Sequence, residues 1–140
     1  MKKNVDEKTK NLQRSIFLNI IENDLESIKN IISENPQLEI EDFWFCEIAY
    51  RGRVNILRFF VEDVGLDINK VGYDMLYFAS LVRNLIVIRY IISAGINYMT
   101  SHHHYAKVFH EVLSDVGLNF NVLTRQELID NLSLIIVDEV

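Results

Sequence analysis

Cys46 to Asn69 reads CEIAYRGRVNILRFFVEDVGLDIN, and Tyr77 to Met99 reads YFASLVRNLIVIRYIISAGINYM. Each stretch has a small-residue helix start, a polar break, an apolar-Arg-aromatic run and a glycine-centred turn. The runs are Ile56-Leu57-Arg58-Phe59-Phe60 and Val87-Ile88-Arg89-Tyr90-Ile91. A fixed internal period marks stacked repeats, in which each unit covers the apolar face of its neighbour. Such stacks present surfaces to partners more often than they enclose reaction centres.

Working outward, the helical period begins at Leu12, Ile16 and Ile20, with Phe17 and Ile21 beside them, and Asn23-Asp24 breaks it. A second helix carries Leu25, Ile28, Ile31 and Ile32 on its core face. Pro36 stops it, because the residue before a proline is pushed out of helical geometry. The pattern then predicts helices over Phe43–Tyr50 and Val54–Glu62, with Arg51-Gly52 as the turn between them and Gly65 as the stop. Next come Tyr73-Asp74, a helix over Met75–Leu81, the turn Arg83-Asn84, a helix over Leu85–Ser93 and the stop Gly95. Asp74 can cap its helix through its carboxylate.

Ser114 to Asn121 echoes Glu62 to Asn69, which aligns Gly117 with Gly65 and Gly95 and shortens the last unit. That unit is expected to hold one full helix, about His102 to Leu113, followed by a helical cap. Thr124 and Glu127 form a capping box that opens the last helix through Leu128, Leu132 and Ile135. The branched tail Leu134–Val137 is open between helix and extended chain.

Gly72-Tyr73-Asp74-Met75-Leu76-Tyr77-Phe78-Ala79, Asn84-Leu85, Val87 to Ile92 and Ala94-Gly95-Ile96-Asn97 together resemble the ankyrin repeat. That family reads G-x-T-P-L-H-x-A-A, G-H, V-V-x-x-L-L and G-A-D-V-N. Gly52, Gly65, Asp67, Ile68 and Asn69 match the preceding unit, and Asn23-Asp24-Leu25-Glu26 looks like the inter-helix turn of a first repeat. The resemblance covers Leu12 to Asn97. It implies an all-α fold: an ankyrin-like α-solenoid of about three helix pairs, roughly 11–40, 41–70 and 71–99, after a flexible 1–10 and before a divergent cap at 100–140. The T-P-L-H tetrad is replaced by Phe43-Trp44-Phe45-Cys46 and by Asp74-Met75-Leu76-Tyr77. The period is short where the family's β-turn finger projects, around Lys70-Val71-Gly72, which shifts the expected binding surface to the helical face.

In the register of the resemblance, Tyr50-Arg51 and Leu81-Val82 fall where such repeats carry variable residues on the concave face, as do Ile21-Glu22 one unit earlier. The expected partner-binding patch is Trp44, Tyr50, Arg51, Tyr73, Leu81 and Val82, with Trp44 and Tyr73 toward the turn edge. The competing reading is that the irregular C-terminal unit folds over Leu81 and Val82.

No constellation for catalysis stands out, and the chain is read as a non-enzyme. Cys46 has no histidine near it in sequence to act as base and reads as a structural thiol. The carboxylates Glu39-Glu41-Asp42 and Asp63/Asp67 suit caps and solvated turns. His102-His103-His104, with His110 and Glu111, would be the metal reading. Consecutive histidines point in different directions, so an exposed helix start is the better account and no metal or cofactor is expected.

The chain has 140 residues, one domain by length, and a net charge of −6, which disfavours a nucleic-acid surface and favours a basic protein partner. One cysteine, no apolar run of membrane-spanning length and no signal-peptide pattern give a cytoplasmic expectation. The composite expectation is a monomeric or weakly dimeric protein–protein interaction module, an inhibitor or immunity-type neutraliser of a basic protein. The alternative of the same class is an ankyrin-like effector or adaptor of a pathogen or virus.

Overall fold

The computed structural model describes residues 6–98 and 103–138, and among them every regular element is helical. The order is α1 (Glu7–Glu22), α2 (Leu25–Glu34), α3 (Phe43–Arg51), α4 (Val54–Arg58) running on into a π-helical segment (Phe59–Val64), α5 (Ile68–Leu81), α6 (Leu85–Ser93), α7 (His103–Asp115) and α8 (Arg125–Asp138). None is long and apolar enough to cross a membrane.

Four helix ends share one hydrogen-bond pattern. After α1, α3, α5 and α7 a residue turns left-handed: Asn23 (φ 59°), Gly52 (72°), Arg83 (56°) and Gly117 (82°). In each case the next amide reaches back five residues: Asp24 to Asn19 O, Arg53 to Ile48 O, Asn84 to Ala79 O and Leu118 to Leu113 O, all at 2.8–2.9 Å. The left-handed residue itself donates three residues back, at 3.0–3.3 Å. This double closure satisfies carbonyls that a helix end otherwise leaves orphaned.

The closures correct the register at the C-terminus. Gly117 corresponds to Asn23, Gly52 and Arg83, the turn inside a helix pair, and not to Gly65 or Gly95, which end pairs. The last unit holds α7 and, after a connection of nine residues against three between α5 and α6, the expected capping helix α8, which packs on α6. The tail left open at Leu134–Val137 is helical. The capping box forms in full, Thr124 N–H donating to Glu127 Oε1 (2.9 Å) and Glu127 N–H to Thr124 Oγ1 (3.1 Å).

The turns touch in succession. At Arg53 no side chain caps α4; its guanidinium crosses to the end of α1 and donates to Ile20 O (3.1 Å) and Ile21 O (2.7 Å). A Cβ on Gly52 would press into the side-chain amide nitrogen of Asn84, whose Oδ1 caps α6 through Val87 N–H (3.1 Å). Arg83 pairs with Asp115 at the end of α7 (2.6 Å). Helix packing follows the same succession: α1 on α3, α3 on α5 and α5 on α7, with α4 on α6 and α6 on α8 beside them. Arg89 Nε donates to Ser133 Oγ (2.6 Å) and Arg125 to Ile92 O (2.8 Å) along the second series.

The core lies between the two series. Ile16 and Ile20, Trp44, Phe45, Ile48 and Ala49, and Met75, Leu76 and Ala79 meet Ile56, Leu57 and Phe60 and Val87, Ile88, Ile91 and Ile92. Each large side chain removed from water there contributes on the order of 1.5–3 kcal/mol.

Between Asp67 and Asp74 the finger is short, as the period implies, but the helix expected from Met75 starts earlier. Lys70-Val71-Gly72 form no finger; α5 begins at Ile68, capped by the Asp67 carboxylate, which accepts from Asn69 N–H (2.9 Å). Asp74 is thus inside a helix and caps nothing. Gly72 is buried where a Cβ would run into Ile96 Cδ1, so its place in the helix serves close approach. Asn69 Oδ1 accepts from Asn97 N–H (3.1 Å), tying this unit to the next.

Candidate functional site

An α-helix turns about 100° per residue, so Phe43, Trp44 and Phe45 cannot share a face. Phe43 points outward, 55% exposed, whereas Trp44 and Phe45 are buried against Phe60, with ring centroids 6.3 and 5.2 Å away. Trp44 therefore leaves the expected patch. It is fully enclosed, and its Nε1–H finds no acceptor among the described residues. Residue type suggested Trp44 as an anchor; the register favours Phe43, seven residues and two turns before Tyr50.

Counting back from the four matched turns aligns the helices position by position. Ile21, Tyr50 and Leu81 are equivalent, as are Glu22, Arg51 and Val82, and Arg14, Phe43 and Asp74. On α3 the outward positions are Phe43, Cys46, Glu47 and Tyr50; on α5 they are Asp74, Tyr77, Phe78 and Leu81. Tyr50 is 55% exposed, Leu81 50% and Val82 40%, so among the described residues the C-terminal unit does not fold over Leu81 and Val82. Leu18 adds an exposed apolar side chain on α1, and nothing in its local sequence marks it; only its place three residues before Ile21 does.

The remaining members sit differently. Arg51 Nε donates to Glu47 Oε2 at 2.8 Å, so its charge is already met. Tyr73 is half-buried, eight residues or about 12 Å along α5 from Leu81. Its hydroxyl donates to Asn97 O (2.9 Å), which commits it to the connection after α6. Toward α1 the face continues through Phe17, whose ring lies 5.6 Å from that of Phe43, and a shallow groove of about 310 Å³ there is lined by Lys10, Gln13, Arg14, Phe17, Glu41 and Phe43.

Cys46 is half-buried on this face. Burial, then the charges of Asp74, Glu47 and Asp42, push its thiol up, which disfavours the thiolate that nucleophilic chemistry needs. His102 and the side chains of His103 and His104 lie outside the described residues. His110 is half-buried, its ring stacked on Phe120 (3.8 Å between centroids, 17° between planes), and burial holds its imidazole below the ordinary value. Its Nε2 has no partner among the described residues, and no three His, Cys, Asp or Glu side chains among them converge there on a metal-sized site.

Elsewhere the second series is tied by Tyr90, whose hydroxyl donates to Glu62 Oε2 (3.2 Å) under the Arg58 guanidinium; burial and the Glu62 charge push the phenol up to about 12. Comparison with family models, with curated proteins and with solved structures finds no match to this chain.

Proposed function

We propose that this chain is a divergent ankyrin-like α-solenoid of stacked helix pairs that acts by holding another protein against the outward face of α1, α3 and α5, without catalysing a reaction. The observation that carries this reading is the register of the exposed apolar side chains. Tyr50 and Leu81 stand exposed at the same position of successive helix pairs, and Phe43 and Val82 add exposed apolar surface at positions that hold charged residues in the other pairs. A single exposed leucine is ordinary in any soluble protein. Exposed apolar and aromatic side chains standing together on neighbouring helices are what an interaction surface requires. The succession of turn-to-turn contacts supports the solenoid part of the reading, since nearest-neighbour contacts are how repeat stacks are held.

A module that only binds acts by occupying its partner, so the role that follows is inhibition or neutralisation of that protein. The test is capture from the native lysate with the intact chain and with Tyr50→Ala and Leu81→Glu, helicity being checked by circular dichroism. One stoichiometric protein held by the parent and lost from both folded variants is the expected outcome. Retention by both variants would remove this face from the account.

A further inference from the structure

We propose that the α3–α5 section of this face receives a basic amphipathic segment of the partner, its apolar side seated at Tyr50 and Leu81 and a lysine or arginine set against Asp74. This rests on the docking face argued above and adds the chemistry of its occupant.

The matched register sets Phe43 level with Asp74, Cys46 with Tyr77 and Tyr50 with Leu81 on adjacent, packed helices. One end of the section is therefore apolar, and the other carries acid beside aromatic rings. The acidic end has three carboxylates. Asp42 pairs with Lys70 (3.7 Å) and Glu47 with Arg51 (2.8 Å), but Asp74 is exposed and makes no ion pair among the described residues. All three act on the Cys46 thiol after burial does, which puts their field on this face. A cation against a carboxylate and an aromatic ring gains from both. Tyr50 and Asp74 stand at levels seven residues apart, about 10 Å, so the occupant must offer an apolar side chain and a cation two helical turns apart. A second copy of this chain fits less well than a basic segment, because each copy brings a net charge of −6 and offers no surplus of cations to Asp74.

The probe is a synthetic helical peptide of about 18 residues, long enough to hold a helix, with leucines along one face and lysines flanking them. Its counterpart has glutamate at every lysine. Binding to the full chain is read by fluorescence anisotropy, with Asp74→Lys, Leu81→Glu and the control Glu34→Lys, which makes the same charge change on α2 away from this face. The lysine peptide alone should bind the parent. Asp74→Lys should weaken it about ten-fold or more, Glu34→Lys less than about two-fold, and Leu81→Glu should abolish binding. Equal weakening by Asp74→Lys and Glu34→Lys would reduce the effect to net charge and overturn the assignment of Asp74. Equal binding of both peptides, lost at Leu81→Glu, would overturn the basic occupant and leave the docking face standing. Binding that survives Leu81→Glu would overturn the face as well. Failure of both peptides to bind, or a concentration-dependent dimer abolished by Leu81→Glu, would overturn the proposed occupant.

Discussion

Replacing Gly52 by alanine tests whether the turns bear on one another. Gly52 has φ +72°, and a side chain in that left-handed region costs about 1 kcal/mol or somewhat more. The new Cβ would also press into the Asn84 amide and displace the side chain that caps α6, a loss of about 1 kcal/mol. Together Gly52→Ala should destabilise by about 2–3 kcal/mol. Gly117 occupies the equivalent turn at φ +82°, but a Cβ added there would meet nothing within 4 Å, so Gly117→Ala should cost only the backbone strain, about 1 kcal/mol. Urea unfolding at constant m-value gives both numbers. The decisive comparison is the double variant Gly52→Ala/Asn84→Ala. With the Asn84 amide gone, the pair should be less destabilising than the sum of its singles by about 1 kcal/mol. Equal costs at 52 and 117 with strict additivity would refute the contact between successive turns.

Three further outcomes follow from the same structure. Arg53→Met should destabilise by about 1.5–3 kcal/mol in the same urea assay, since two charge-assisted bonds to the end of α1 are lost; a neutral result would mean that the guanidinium only lies on the surface. Stability should fall as pH drops through about 6.5, because the unfolded His110 takes up its proton before the buried folded one does, and the fall should stop once the folded group protonates; His110→Phe keeps the ring stack and should remove this step, so an unchanged pH profile would contradict the burial. Trp44, the single tryptophan, should emit at short wavelength and resist acrylamide quenching, whereas a solvent-like spectrum would return it to the surface.

What could be read in the sequence was chemistry local to a few residues. Asn23-Asp24, Arg51-Gly52 and Arg83-Asn84 mark turns because Asn23 and Gly52 suit a left-handed closure and Asp24 and Asn84 suit an N-cap. Asp24 and Asn84 do cap the helices that follow, accepting from Ser27 and Val87 N–H. Thr124 and Glu127 were legible for the same reason. The misreadings came where like sequence serves unlike geometry. Asp63-Val64-Gly65-Leu66 and Asp115-Val116-Gly117-Leu118 are identical, yet Leu66 N–H closes a wide π turn on Phe60 O, and Leu118 N–H closes the tighter turn on Leu113 O. The same four residues thus close two different turns, which no local motif distinguishes. Gly72 was placed before the helix by the repeat resemblance, whereas it lies inside α5 and admits Ile96. Within the site, Tyr50, Leu81 and Val82 followed from register and stand exposed, whereas Trp44 followed from residue type and is buried.

The most direct test of the account is photo-crosslinking in the native lysate from a benzoylphenylalanine placed at Tyr50, at Leu81 or at Ile86. The three side chains are about equally exposed, at 55%, 50% and 49%, but Ile86 belongs to α6, in the other helix series. The account predicts one common protein captured from positions 50 and 81 and none from 86. Capture from 86 alone, or equally from all three, would contradict it.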